Sequence, residues 1–154
     1  MERHHRIGKG GDRYKGKSGA GIVYTDGKQI LLLKRADGDH SGSWGLPGGT
    51  TEPGELPIDT AIRECREECG HGEEGSRFDQ MNTKDGGFSW TSFFYAVQKP
   101  FSCRLSHEHS DWKWINLQEL KKYDLHPKLK MVVPSYLARI KQKFGVGSFK
   151  EWLS

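Results

Sequence analysis

The chain predicts a mixed α/β fold in which helices cover a strongly curved sheet, and three observations carry that expectation. Two apolar runs, Gly19 to Thr25 and Gln29 to Lys34, flank an Asp26-Gly27 turn signal and read as a strand pair. The segment from about Pro57 to Cys69 reads as an amphipathic helix, because Ile58, Ala61, Ile62, Cys65 and Cys69 recur at i, i+3, i+4, i+7 and i+11. A second aromatic-rich strand, Phe88 to Val97, and a closing helix, Ser135 to Phe144, follow it.

The first 17 residues carry six Lys or Arg against two acids, with glycines at 8, 10, 11 and 16 and no apolar period, and are expected to form a mobile basic arm. Residues 18–154 are expected to be a single domain, consistent with a total length of 154. Gly, Asp and Ser make Ala36 to Ser43 a loop leading to Trp44. Pro57 suits a first helical turn, Asp59 favours its positive end, and Gly70 is a natural stop. Phe78 to Asn82 reads as a short strand. Phe88 to Val97 is bounded by Gly86-Gly87 and Pro100; its aromatics alternate faces, so Phe93, Phe94 and Tyr95 are mostly core, while Phe88 and Trp90 are candidates to stack on a base. Trp112 to Ile115 reads as a strand and Leu117 to Lys122 as a short helix. In the closing helix Leu137, Ile140 and Phe144 share a face.

Composition excludes several classes. No apolar run approaches the roughly 18 residues needed to cross a bilayer, and the N-terminus has no apolar signal core, so a soluble, cytoplasmic protein without membrane partners is expected. The three cysteines form neither a disulfide framework nor a zinc ribbon; Cys65 and Cys69, one turn apart on the apolar stripe, read as reduced core thiols. The net charge of +4 divides into basic ends and a centre, residues 18–120, with ten bases against sixteen acids. Such a centre suits divalent cations, and the basic ends suit polyanions, with solvated termini favoured over RNA contact.

The chemistry concentrates in GTTEPGELPIDTAIRECREECGH, residues 49–71. Glu64 and Glu68 lie one helical turn apart with Glu67 beside them, and Arg63 stands i to i+4 from Glu67, placed to orient its carboxylate. Like-charged neighbours on a helix are unfavourable by a few tenths of a kcal/mol per pair, and a hard divalent cation resolves the repulsion; Mg²⁺, with Mn²⁺ as a substitute, suits all-oxygen ligands and keeps positions for phosphate. A solvated charged face is the commoner origin of such a run, but it does not call for the Gly- and Pro-rich stretch GLPGGTTEPGE that lays Glu55 against the start of the helix.

These residues match G-x5-E-x7-R-E-U-x-E-E-x-G-U, with U a bulky aliphatic, at Gly49, Glu55, Arg63, Glu64, Glu67, Glu68 and Gly70. Cys65 and His71 occupy the two aliphatic positions, so two packing positions are altered and every charged one is kept. The segment resembles the Nudix box. GAGIVYTDGKQILLLKR, SGSWGLPGG and LSHEHSDWKWINLQEL resemble the flanking parts of that family, so residues 18–122 are covered. The resemblance implies an α/β/α sandwich with a curved mixed sheet and hydrolysis, by water attack on phosphorus, of a nucleoside diphosphate linked to another group.

By the same resemblance Glu64, Glu67 and Glu68 are metal ligands, Glu55 is a further ligand or supporting acid, and Arg63 orients Glu67. The base is Glu64 or, on the later loop, Glu108; His107 and His109 beside it are read as solvated. Gly48, Gly49, Arg35, Trp44, Phe88 and Trp90 are candidates for substrate contact. The family's marks for ADP-ribose (a proline) and dinucleoside polyphosphates (a tyrosine) lie about a dozen and a half residues past the box, where GGFSWT offers neither. Compact size favours a nucleoside or deoxynucleoside triphosphate as substrate. Alternatives are ADP-ribose, a nucleotide sugar, a dinucleoside polyphosphate, an RNA 5′ end, or a non-catalytic nucleotide- or RNA-binding module, which the intact box disfavours. The protein is expected to act as a monomer or homodimer.

Overall fold

The computed structural model describes residues 17–145; the arm expected over residues 1–17 therefore lies, apart from Lys17, outside the described residues. The strands are β1 (Ser18–Thr25), β2 (Gln29–Arg35), β3 (Trp44–Gly45), β4 (Gly48–Thr50), β5 (Ser76–Asp85), β6 (Phe88–Ala96) and β7 (His109–Asn116), with helices α1 (Pro57–Cys69) and α2 (Pro127–Phe144). They form one mixed sheet with the path β3-β2-β1-β6-β5; β4 pairs with β1 and β7 with β2. The β1–β6 contact is parallel and central, and the remaining ladders are antiparallel.

Both faces of this sheet are covered, which explains why Ile30, Leu31, Leu32 and Leu33 are all buried rather than alternating with polar residues. On one face Ala20, Ile22, Tyr24, Leu31, Leu33, Phe93 and Tyr95 pack with Ala61, Cys65 and Cys69 of α1. On the other, Val23, Ile30, Leu32, Phe94 and Ile115 pack with Leu129, Tyr136 and Ile140 of α2. The result is the α/β/α sandwich. As expected for core thiols, Cys65 and Cys69 are free and wholly buried.

Asp26 closes the β1–β2 turn, its Oδ1 accepting from Lys28 N at 2.9 Å and Gln29 N at 2.8 Å. Three boundaries differ from the sequence expectation. β5 runs Ser76–Asp85 rather than Phe78 to Asn82, because its partner β6 continues the ladder at both ends. β7 begins at His109, three residues before Trp112. The closing helix starts at Pro127 instead of Ser135: His126 Nδ1 accepts from Lys128 N at 3.1 Å as an N-cap, and Pro134 sits inside the helix. An interior proline costs about 3 kcal/mol, and burial of Leu129, Tyr136 and Ile140 on both sides of it offsets that cost. The segment Leu117–Lys122 is a 3₁₀ turn.

Candidate active site

The acidic edge of α1 is organised by Arg63. Its Nε donates to Glu55 Oε2 at 2.8 Å, Nη2 to Glu55 Oε1 at 3.0 Å and to the Thr50 carbonyl at 3.2 Å, and Nη1 to Glu64 Oε2 at 2.8 Å. Glu67 is only a 3.6 Å ion pair and its side chain is 59% exposed. The expected contact of Arg63 with Glu67 is present as this longer ion pair, and the structure adds Glu55 and Glu64 as the hydrogen-bonded partners of the guanidinium. A planar guanidinium satisfies the fork offered by Glu55 better than the frayed i to i+4 contact on the helix surface.

Glu55 is engaged on both oxygens, since Oε1 also accepts from Glu52 N at 3.0 Å and Thr60 Oγ1 at 2.8 Å. The Arg63 guanidinium is the main reason its carboxyl is lowered to about 2. With four donors on it, Glu55 holds Arg63 in place, and Arg63 in turn holds Glu64.

Glu64 and Glu68 are drawn inward by β4. The backbone of Gly49 passes so close to the Glu64 carboxyl that a β-carbon there would occupy the same space. Gly48 N donates to Glu68 Oε1 at 2.9 Å. Glu68 is 5% exposed. Burial first, and then the neighbouring Glu64 charge, push its carboxyl well above the usual range; burial also raises Glu64, against the pull of Arg63. Two carboxylates held this way create a demand for positive charge.

The loop before β7 completes the site. It is fastened to the end of α1: Arg104 N donates to the Cys69 carbonyl at 3.0 Å and Ser106 N to the Glu68 carbonyl at 3.4 Å. Gly70, in the left-handed conformation at φ 84°, ends the helix and lets the chain turn there. His71, standing at the altered aliphatic position, lies against Phe101 with ring centroids 4.0 Å apart. Its Nε2 is 2.8 Å from the Ser102 carbonyl and its Nδ1 is 3.0 Å from Glu74 Oε2. Burial opposes charge on His71, but Glu74 and the Ser102 carbonyl outweigh it and leave its pKa raised. The altered position thus ties down the loop that carries Glu108.

Glu108, Glu68 and His109 come together there, with one ligand atom from each lying within 4.8 Å of the others. The reading of His109 as solvated is corrected: its Nδ1 is buried and without a hydrogen-bond partner among the described residues, and burial lowers its pKa. The reason is register. Lys34 pairs with Asp111 and Arg35 with His109, leaving Ser110 as an extra residue in β7. Regular alternation would place His109 on the face of Ile115; the bulge returns it to the face of Leu31, Leu33 and α1. His107 is exposed, as expected. No sequence signal marks a bulge whose position depends on the partner strand.

The remaining candidates divide between core and surface. Trp44 is 7% exposed and packs edge-on against Tyr123, a core position. Phe88 is buried beneath Lys128 Nζ. Half-buried Trp90 covers Gly19, Gly21 and Gly48 on the side of β4 away from α1, its Nε1 donating to Ser92 Oγ at 3.1 Å. Arg35, half-buried, borders the cluster through its pairing with His109, and its Nε donates to the Asp39 carbonyl at 2.9 Å.

A divalent cation fits this donor set. Glu68 is buried, His109 Nδ1 has no hydrogen-bond partner among the described residues, Glu108 brings an oxygen atom to the same cluster, and Glu64 neighbours Glu68.

The family model for the NUDIX domain matches residues 15–136. The chain is 34% identical over 105 residues to mouse bis(5′-nucleosyl)-tetraphosphatase (asymmetrical), an alignment covering 59% of this chain and 66% of that protein, just under two thirds of its length. It is 30% identical over 120 residues to the nucleoside triphosphatase NudI of Escherichia coli, covering 68% of this chain and 84% of that protein. The structure of a Caenorhabditis elegans Ap4A hydrolase binary complex superposes with a TM-score of 0.66 at 26% identity, covering 82% of this chain and 98% of the other. The match over most of the chain, added to a box whose charged residues meet at one edge of α1, makes this protein a member of the NUDIX hydrolase family.

Proposed function

We propose that the protein hydrolyses the pyrophosphate bond of a nucleoside triphosphate or deoxynucleoside triphosphate, with Mg²⁺ or Mn²⁺ held by Glu64, Glu68 and Glu108 and reached by Glu67 from the rim. The carrying observation is the buried Glu68 carboxylate beside Glu64 and Glu108 at the foot of the β4 strand. When bound, the cation neutralises phosphate charge and lowers the pKa of a water ligand. Arg63, fixed by Glu55, keeps the Glu64 carboxylate facing that edge. Glu108, exposed at the mouth, takes the proton of the attacking water, with Glu64 as the alternative base. Gly48 and Gly49 let the polyphosphate approach backbone, Arg35 borders its path, and Trp90 offers a face to a base. Phe88 packs beside Trp90, ring centroids 6.3 Å apart, whereas Trp44 is a core residue.

The likeness to NudI, which extends over more of both chains than the likeness to the mouse enzyme, supports the triphosphate reading. A dinucleoside polyphosphate is the second reading, favoured by the mouse and nematode relatives. Product analysis separates them. A triphosphate substrate gives nucleoside monophosphate and pyrophosphate, whereas an asymmetrically cleaved dinucleoside tetraphosphate gives a mono- and a triphosphate. Incubation of the purified protein with a panel of both, resolved by anion exchange, tests the proposal; a higher kcat/KM on the dinucleotides would replace the first reading by the second.

A further inference from the structure

We propose that His109 is itself a metal ligand, its Nδ1 joining carboxylate oxygens of Glu68 and Glu108 in a mixed nitrogen and oxygen site suited to Mn²⁺ or a later first-row divalent ion. The inference rests on the reading of this edge as a cation site.

Three independent features converge on the imidazole. The ligand atoms of Glu68, Glu108 and His109 already lie within 4.8 Å of one another. Ligands at about 2.1 Å from one ion span up to about 4.2 Å, so small side-chain rotations close the set. His109 Nδ1 is buried and has no hydrogen-bond partner among the described residues, a condition a buried ring nitrogen rarely keeps without a function. The extra residue in β7 turns His109 from the α2 face to the α1 face, and bulges of this kind re-aim side chains beside active sites.

The neighbours are consistent with ligation. Gly48 N already donates to Glu68 Oε1, leaving Oε2 for the ion. Glu108 is held at the backbone on both sides, its amide donating to Ser106 Oγ at 3.3 Å and its carbonyl accepting from Ala36 N at 3.0 Å. An imidazole nitrogen adds little for Mg²⁺ and more for Mn²⁺ and the metals beyond it. The site should therefore discriminate between ions that an all-carboxylate site would treat more evenly.

The test uses the full chain, stripped of metal and free of nucleotide, loaded with Mn²⁺ alone. Electron spin-echo modulation of the wild-type protein is expected to show a directly bound ¹⁴N, absent from His109→Ala. Titration of free Mn²⁺ by electron paramagnetic resonance is expected to show the variant binding about tenfold more weakly, with Mg²⁺ affinity, read by competition, changing less. Because the ¹⁴N signal is read in the wild type, it decides the matter even where the variant fails to fold. Bound Mn²⁺ without ¹⁴N coupling overturns the ligation and leaves the cation site standing. No Mn²⁺ binding at all overturns both.

Discussion

Arg63 and Glu55 form a two-pronged ion pair, Nε to Oε2 at 2.8 Å and Nη2 to Oε1 at 3.0 Å, across the start of α1. It converts a Gly- and Pro-rich stretch into a brace, because the same guanidinium reaches Glu64 at 2.8 Å and the carbonyl of Thr50 in β4 at 3.2 Å. The order within the acidic edge depends on that brace.

Glu55→Gln should reveal it through pH. The folded-state pKa of Glu55 is lowered from 4.5 to about 2, so its stabilisation is present above about 4.5 and is lost as pH falls through about 2. At neutral pH the substitution should cost roughly 1–2 kcal/mol, less than the shift alone implies because the pair borders solvent. Urea unfolding at pH 7, 4 and 2.5 checks it. A gap between wild type and variant that stays constant with pH would contradict the brace.

Glu68→Gln has opposite effects on stability and rate. In the metal-free protein the raised pKa of Glu68 means that its carboxyl weakens the fold increasingly as pH rises above the ordinary 4.5. The amide keeps the size and the acceptor for Gly48 N. Melting temperature at pH 7 should be equal or higher, while kcat falls by about 10²-fold or more for want of a ligand charge. A less stable variant with unchanged kcat would refute both assignments.

His71→Leu restores an aliphatic residue and removes the ties to Ser102 and Glu74. Because the folded pKa of His71 is raised above 6.5, its contribution is complete below that value and disappears as pH rises through the folded pKa. Wild type should exceed the variant by about 0.5–1 kcal/mol at pH 5.5 and converge with it on the alkaline side. Chemical denaturation at both pH values measures this, and a variant more stable at every pH would show that packing outweighs the ties.

Glu108→Gln and Glu64→Gln separate the two candidate bases. If Glu108 takes the proton, its variant should lose the acidic limb of the kcat against pH profile and most of kcat, a fall of about 10²- to 10⁴-fold. Glu64→Gln should instead keep that acidic limb, while either substitution raises the metal concentration needed for half-maximal rate, because both carboxylates are proposed to hold the cation. Near-normal turnover by Glu108→Gln would move the role to Glu64.

Where the sequence was legible, local chemistry decided the outcome. Pro57, Gly70 and the apolar stripe ending in Cys65 and Cys69 bound α1 without reference to any other segment. Where partners decided, it was not. β3 and β4 are two and three residues long and exist only through pairing with β2 and β1. Pro134 reads locally as a break, yet tertiary burial carries α2 across it. The acids of the site were visible from spacing; the choice of Glu55 over Glu67 by Arg63, and the inward turn of His109, follow from loop geometry and strand register.

On the proposed reading, hydrolysis requires a divalent cation on the acidic edge of α1. The direct measurement is nucleotide turnover by metal-stripped protein, first in excess EDTA and then with Mg²⁺ or Mn²⁺ restored. The expected result is no turnover with the chelator and full recovery with metal. Undiminished hydrolysis in excess EDTA would contradict it.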